Sequence, residues 1–122
     1  MKLHLHTEAN QYNITRHGQG YVEVAGQRIL TPLIVSPTVL VQPWVLADPA
    51  TITFEDFAQA MELKPALVVY GSGNAFRFPH PRVMAAFSSA RIGFEVMDTA
   101  AACRTYNVLM SEGRNVVAAL VV

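Results

Sequence analysis

Gly71-Ser72-Gly73-Asn74 is the segment whose residue types come nearest to ligand chemistry. It follows an apolar run that reads as a parallel strand and precedes a helical pattern, the place where open α/β sheets bind ligands. Small residues let backbone amides approach an anion, and Arg77 and Arg82 just downstream would supply charge. The segment departs from a dinucleotide fingerprint: no third glycine stands at the right offset, and Pro79 and Pro81 interrupt the way into the helix. A phosphate-loop lysine is also missing. The competing reading, favoured by that mismatch, is a tight strand-to-helix turn that needs a positive φ. Ser72 as a nucleophile would require a Gly-x-Ser-x-Gly elbow, which is absent.

The remaining chemical candidates read mainly as structure. Glu95 lies inside a strand pattern, where burial would favour its protonated form and suit it to carry a proton. An ion pair with Arg91, Arg104 or Arg114 is the preferred alternative. Asp98 and Thr99 stand where a helix needs an N-cap, and capping alone accounts for their types. His4 and His6 share one face of a strand but lack the further ligands a metal site wants, and His17 and His80 have no useful spacing. No metal site and no cofactor are expected. Cys103 falls on the inward face of a helix with Ala102, Tyr106 and Met110, as a small core hydrophobe. Trp44, between Pro43 and Val45, is a candidate contact residue because aromatic side chains are enriched at interface hot spots. Val108, projected outward beside Arg104, is a second candidate. No catalytic set emerges, so the chain leans away from being an enzyme.

A chain of 122 residues suits one domain, 1–122, with a core of its own. Its apolar fraction of 52% slightly exceeds the usual ~45–50%, consistent with a buried subunit interface or simply a well-filled core. Net charge is zero, but residues 1–62 are acidic and residues 63–122 basic by the same margin. That balance excludes a general nucleic-acid binder. One cysteine excludes an internal disulfide framework. Met-Lys-Leu-His-Leu-His lacks an apolar secretory core, and no apolar run approaches spanning length, so no transmembrane segment is expected and a cytoplasmic location is.

These candidates need elements to position them. Leu3–His6 and Tyr21–Val24 alternate as strands, with turns at 17–20 and 25–27. Strands continue over 28–35 and 39–45, punctuated by Pro32, Pro37 and Pro43. Thr53 caps a helix to Met61, with Phe54, Phe57, Ala58 and Met61 inward. Ala66–Tyr70 is a buried strand, 81–90 a helix with Val83, Met84 and Phe87 inward, and 92–97 a strand. A helix from Asp98 or Thr99 ends at Gly113, and 115–121 is the last strand. The expected fold is therefore α/β: an N-terminal antiparallel meander followed by β-α-β-α-β with parallel strands.

That order, with Val68-Val-Tyr-Gly-Ser-Gly73, Phe78-Pro79 and the run from Gly93 to Arg114, resembles the Mth-type domain. The family is one of unknown molecular function in archaea and bacteria, with a mitochondrial member that helps build respiratory complex I. Nearly the whole chain takes part, and the stretches 95–99 and 105–109 are the specific ones. The resemblance implies a three-layer single domain with a mixed central sheet and brings no catalytic residues. Two functions compete. The first is a non-enzymatic interaction or assembly module, with a protein client and self-association into a homo-oligomer, which predicts an apolar patch. The second is a small-anion-binding protein or enzyme using Gly71, Ser72, Gly73 and Asn74 with Arg77 or Arg82, which predicts a pocket where they converge. The first is preferred.

Overall fold

Alternation in the first half folds into a small antiparallel sheet. The computed structural model describes residues 11–122, so the strand expected at 3–6, with His4 and His6, lies outside the described residues. β1 (Ile14–Gly18), β2 (Tyr21–Val24) and β3 (Gln27–Ile29) pair in that order. The β2–β3 turn is Ala25-Gly26, both at positive φ, the two-residue geometry that matches strand twist. Ile14, Val22, Val24 and Ile29 are buried on one face.

The strand expected over 28–35 is divided between two sheets. After Ile29 the chain leaves the first sheet through Leu30-Thr31-Pro32 and begins β4 (Leu33–Val35) in the second. Pro32 has no N–H for a ladder, and its carbonyl accepts from the Trp44 N–H at 2.7 Å. The strand expected over 39–45 shrinks to β5 (Leu40–Val41).

The second sheet has the order β5-β4-β8-β6-β7, with β6 (Leu67–Gly71), β7 (Gly93–Met97) and β8 (Val116–Leu120). β6 runs parallel to β7 and β8, whereas β4 runs antiparallel to β5 and β8. All five residues of β8 are buried because the sheet is covered on both faces. Val116, Ala118 and Leu120 enter one core, and Val117 and Ala119 the other. The result is the expected three-layer α/β arrangement with a mixed central sheet.

One face carries α3 (Thr99–Ser111) and the small sheet; the other carries α1 (Ala58–Met61) and α2 (Pro81–Ser89). Residues 53–61 do not form one helix. Phe54–Phe57 is a 3-10 turn, with the Thr53 N–H donating to Asp56 Oδ2 at 2.8 Å, and only then does α1 begin. The tighter turn shifts the phase of the inward face. Phe57 and Ala60 are buried, and Ala58, expected inward, is exposed. Phe57 centres an aromatic cluster, with ring centroids 5.4 Å from Trp44, Tyr70 and Phe94 and 5.3 Å from Phe87. Such pairs add about 0.5–1.5 kcal/mol each beyond their buried area.

α3 begins where Asp98 Oδ1 accepts from the Ala101 N–H at 2.8 Å. It ends at Gly113, φ +79, where the N–H groups of Gly113 and Arg114 return to Met110 and Leu109 carbonyls. Two neighbours pin it to β1. The Tyr106 hydroxyl donates to the Tyr12 carbonyl at 2.6 Å. The Asn107 amide acts like a strand partner to Ile14, donating to its carbonyl at 2.7 Å and accepting from its N–H at 2.9 Å.

Candidate functional site

β6 delivers Gly71-Ser72-Gly73 to the carboxyl end of the sheet, against the first turn of α3. A Cβ on Gly71 would lie 3.0 Å from the Thr99 Cα and 2.9 Å from Leu120 Cδ2, so any side chain here would crowd the first turn of α3. Gly73 sits at φ +108. Its N–H donates to Thr99 Oγ1 at 2.9 Å, and its carbonyl accepts from the Thr99 N–H at 2.9 Å. The Thr99 hydroxyl donates onward to the Val121 carbonyl at 2.6 Å. Ser72 is buried: its N–H donates to the Met97 carbonyl at 2.9 Å, and its hydroxyl donates to the Ala75 carbonyl at 3.0 Å. The same hydroxyl accepts from the Arg77 N–H at 2.9 Å. The N–H groups of Ser72, Gly73 and Arg77 and the Ser72 hydroxyl are therefore all spent inside the fold. An anion would find none of these four donors.

The arginines do not converge on the loop either. Gly73 and Asn74 open onto a cleft of about 330 Å³ shared with Asp98, Thr99 and the β1–β2 turn. The charge there is a carboxylate, already occupied in capping α3. Arg82 lines a separate cleft of about 620 Å³ with Thr53, Glu55 and His80. His80 Nδ1 accepts from the Arg82 N–H at 3.0 Å and so caps α2. Arg77 lines neither cleft and is exposed. Burial holds the Tyr70 phenol above its ordinary range, opposed by Arg77 and reinforced by Asp56.

Several expected positions move. Trp44, proposed as a contact residue, is 1% exposed and packs against Phe57 and Tyr70. Its indole N–H donates to the Asp56 carbonyl at 2.7 Å, so it is a core residue with its polar atom satisfied, and the contact-surface expectation fails for it. Glu95 is exposed on β7, the outer strand, and lacks the burial a proton-carrying role would need. Cys103 is buried, as expected; burial pushes its thiol up to about 12, with Arg104 partly opposing. Val108 is exposed on α3, as projected.

Sequence reasoning did not single out Phe76 and Phe78 as surface residues. They are 59% and 57% exposed, and their rings touch with centroids 5.8 Å apart. Arg77 lies between them in the chain. The available signal was the Phe-Arg-Phe alternation in a loop with no partner strand, closed by buried Pro79. The loop beneath is held by Ser72, so the pair stands on a tied base. Among the described residues no group of three or more His, Cys, Asp and Glu could hold a metal ion. No helix among them is long and apolar enough to cross a membrane.

Comparison with known proteins matches residues 14–121 to a family described as proteins of unknown function, DUF498/DUF598. The chain is similar to NADH dehydrogenase (ubiquinone) 1 alpha subcomplex assembly factor 3 of Mus musculus, 38% identical over 100 residues. That match covers 80% of this chain and 54% of the mouse protein, so the chain spans about half the length of that relative. The crystal structure of a Bordetella parapertussis protein is similar with a TM-score of 0.84 at 37% identity, over 91% of this chain and 95% of that one. The solution structure of a Bordetella pertussis protein described as a Mth938-like domain has a TM-score of 0.80 at 31% identity, over 99% and 92%.

Proposed function

The chain belongs to the DUF498/DUF598 family, and on that premise we propose that it is a cytoplasmic, non-enzymatic module that holds a protein client during assembly of a larger complex. The observation that carries this reading is the exposed Phe76–Phe78 pair on its tied loop. Aromatic anchors on a rigid base contribute contact area with little ordering cost on binding. Val108 on α3 is a second contact point. The relative named as an NADH dehydrogenase assembly factor supports a component of that enzyme as the client.

The test is genetic and biochemical. The gene for this chain is deleted in its own source organism, and assembled NADH dehydrogenase is measured on native gels. The proposal expects a loss of assembled enzyme that the wild-type chain restores and the Phe76→Ser/Phe78→Ser variant does not. Unchanged enzyme in the deletion strain would refute it.

A further inference from the structure

Charge is segregated along the chain on either side of residue 63. Residues 29–63 contain Asp48, Glu55, Asp56 and Glu62 and no Lys or Arg; residues 64–94 contain Lys64, Arg77, Arg82 and Arg91 and no Asp or Glu. The fold sets these blocks side by side, because the 54–57 turn packs on α2 with Phe54 and Phe87 edge to face at 5.0 Å. On the acidic side, Phe54, Ala58 and Met61 form the apolar part of a cleft of about 480 Å³ flanked by Glu55 and Glu62. On the basic side, the Phe76-Arg77-Phe78 loop projects two rings with a guanidinium between them in sequence. The 620 Å³ cleft is lined by both blocks, with Glu55 contributed by the acidic one and Arg82 by the basic one.

The two surfaces carry opposite charge and exposed apolar side chains, and within one copy Arg77 does not line the acidic cleft. We infer that this face pairs with a second copy of the chain, the Phe76-Arg77-Phe78 loop of each copy seating on the Phe54–Met61 cleft of the other, with Arg77 against Glu55 and Glu62. The inference rests on the reading of the loop as a protein-contact surface. A twofold axis makes each copy contribute the same two contacts. Apolar contact supplies the attraction, and the segregated charges set the register.

The test is sedimentation across a dilution series of the 122-residue chain, its Arg77→Glu variant and its Glu55→Lys/Glu62→Lys variant, with circular dichroism to verify folding. All three altered positions are exposed. The wild type is expected at twice the 13.4 kDa of one chain, falling to one on dilution. Each variant alone sets like charges together and is expected at the mass of one chain. An equimolar mixture of the two restores opposite charges at both contacts and is expected to regain the paired mass. A wild type at single-chain mass throughout, variants that stay paired, or a mixture that stays apart would each overturn the inference. If the wild type is single but the Phe76→Ser/Phe78→Ser variant fails to restore assembled NADH dehydrogenase, only the second-copy inference falls. If that variant restores assembly fully, the contact-surface reading falls as well.

Discussion

The Gly73 N–H donates to Thr99 Oγ1 at 2.9 Å, and the Thr99 N–H returns a bond of equal length to the Gly73 carbonyl. This reciprocal pair ties the end of β6 to the first turn of α3, and the Thr99 hydroxyl extends it to Val121. Thr99→Val keeps the side-chain shape and removes both hydroxyl bonds, leaving a donor and an acceptor to find water. A loss of about 1–3 kcal/mol is expected, seen as a lower urea midpoint with an unchanged slope. An unaltered midpoint would mean that the loop is not held this way.

Two glycines in the same loop make a matched pair of tests. Gly71→Ala forces a methyl group against the Thr99 backbone and should cost about 1–3 kcal/mol by overpacking. Gly73→Ala meets open space, with its nearest neighbour at 3.8 Å, but holds an L residue at φ +108. Backbone strain there should cost about 1–3 kcal/mol. A Gly73→Ala midpoint equal to that of the wild type would contradict the positive φ at this position.

Trp44→Phe separates scaffold from surface. It removes the bond to the Asp56 carbonyl and part of a fully buried ring system, for an expected loss of about 1–3 kcal/mol. Any self-association that the wild type shows should survive at concentrations where the variant is folded. A variant of wild-type stability that no longer associates would return Trp44 to the surface.

Cys103 gives the chain a directional pH response. Its folded pKa is raised, chiefly by burial, from 9.0 to about 12. Below pH 9 the thiol is protonated in both states. Between those values only the unfolded state releases the proton, so stability falls as pH rises, by up to about 1.4 kcal/mol per pH unit. Tyr106, also held up by burial, pushes in the same direction at higher pH. Urea midpoints measured from about pH 8 to about pH 10 should fall less steeply for Cys103→Ala than for the wild type. Parallel slopes would contradict the assignment.

The second half of the fold was legible because its periods are clean. β6, α2, β7, α3 and β8 all form where expected, with β8 fully buried, Val83 and Phe87 buried on α2, Met84 half-buried and β7 only partly covered, and Asp98 and Gly113 mark both ends of α3. The first half was less so. Arg28 to Val35 reads as one strand even though the chain changes sheets near Pro32, and nothing local records a change of pairing partner. Trp44, between Pro43 and Val45, reads as a contact residue; its burial depends on a turn twelve positions later folding back over it. At the loop the preferred reading, a tight turn with a positive φ, agrees with Gly73 at φ +108, but its bonding was not legible. Spacing showed that Gly71, Ser72 and Gly73 end a strand, but not that their donors meet Thr99, Met97 and Ala75. The exposure of Phe76 and Phe78 follows from that hidden bonding, since Ser72 holds the loop on which they stand.

The most direct measurement is photocrosslinking from position 78 in cells of the source organism, with a photoreactive phenylalanine analogue in place of Phe78. If the Phe76–Phe78 loop is a protein-contact surface, light should produce discrete adducts of higher mass, joined either to a second copy of the chain or to the client. A folded, fully expressed chain that yields no protein adduct from position 78 would contradict the claim that this loop is where the molecule meets its partners.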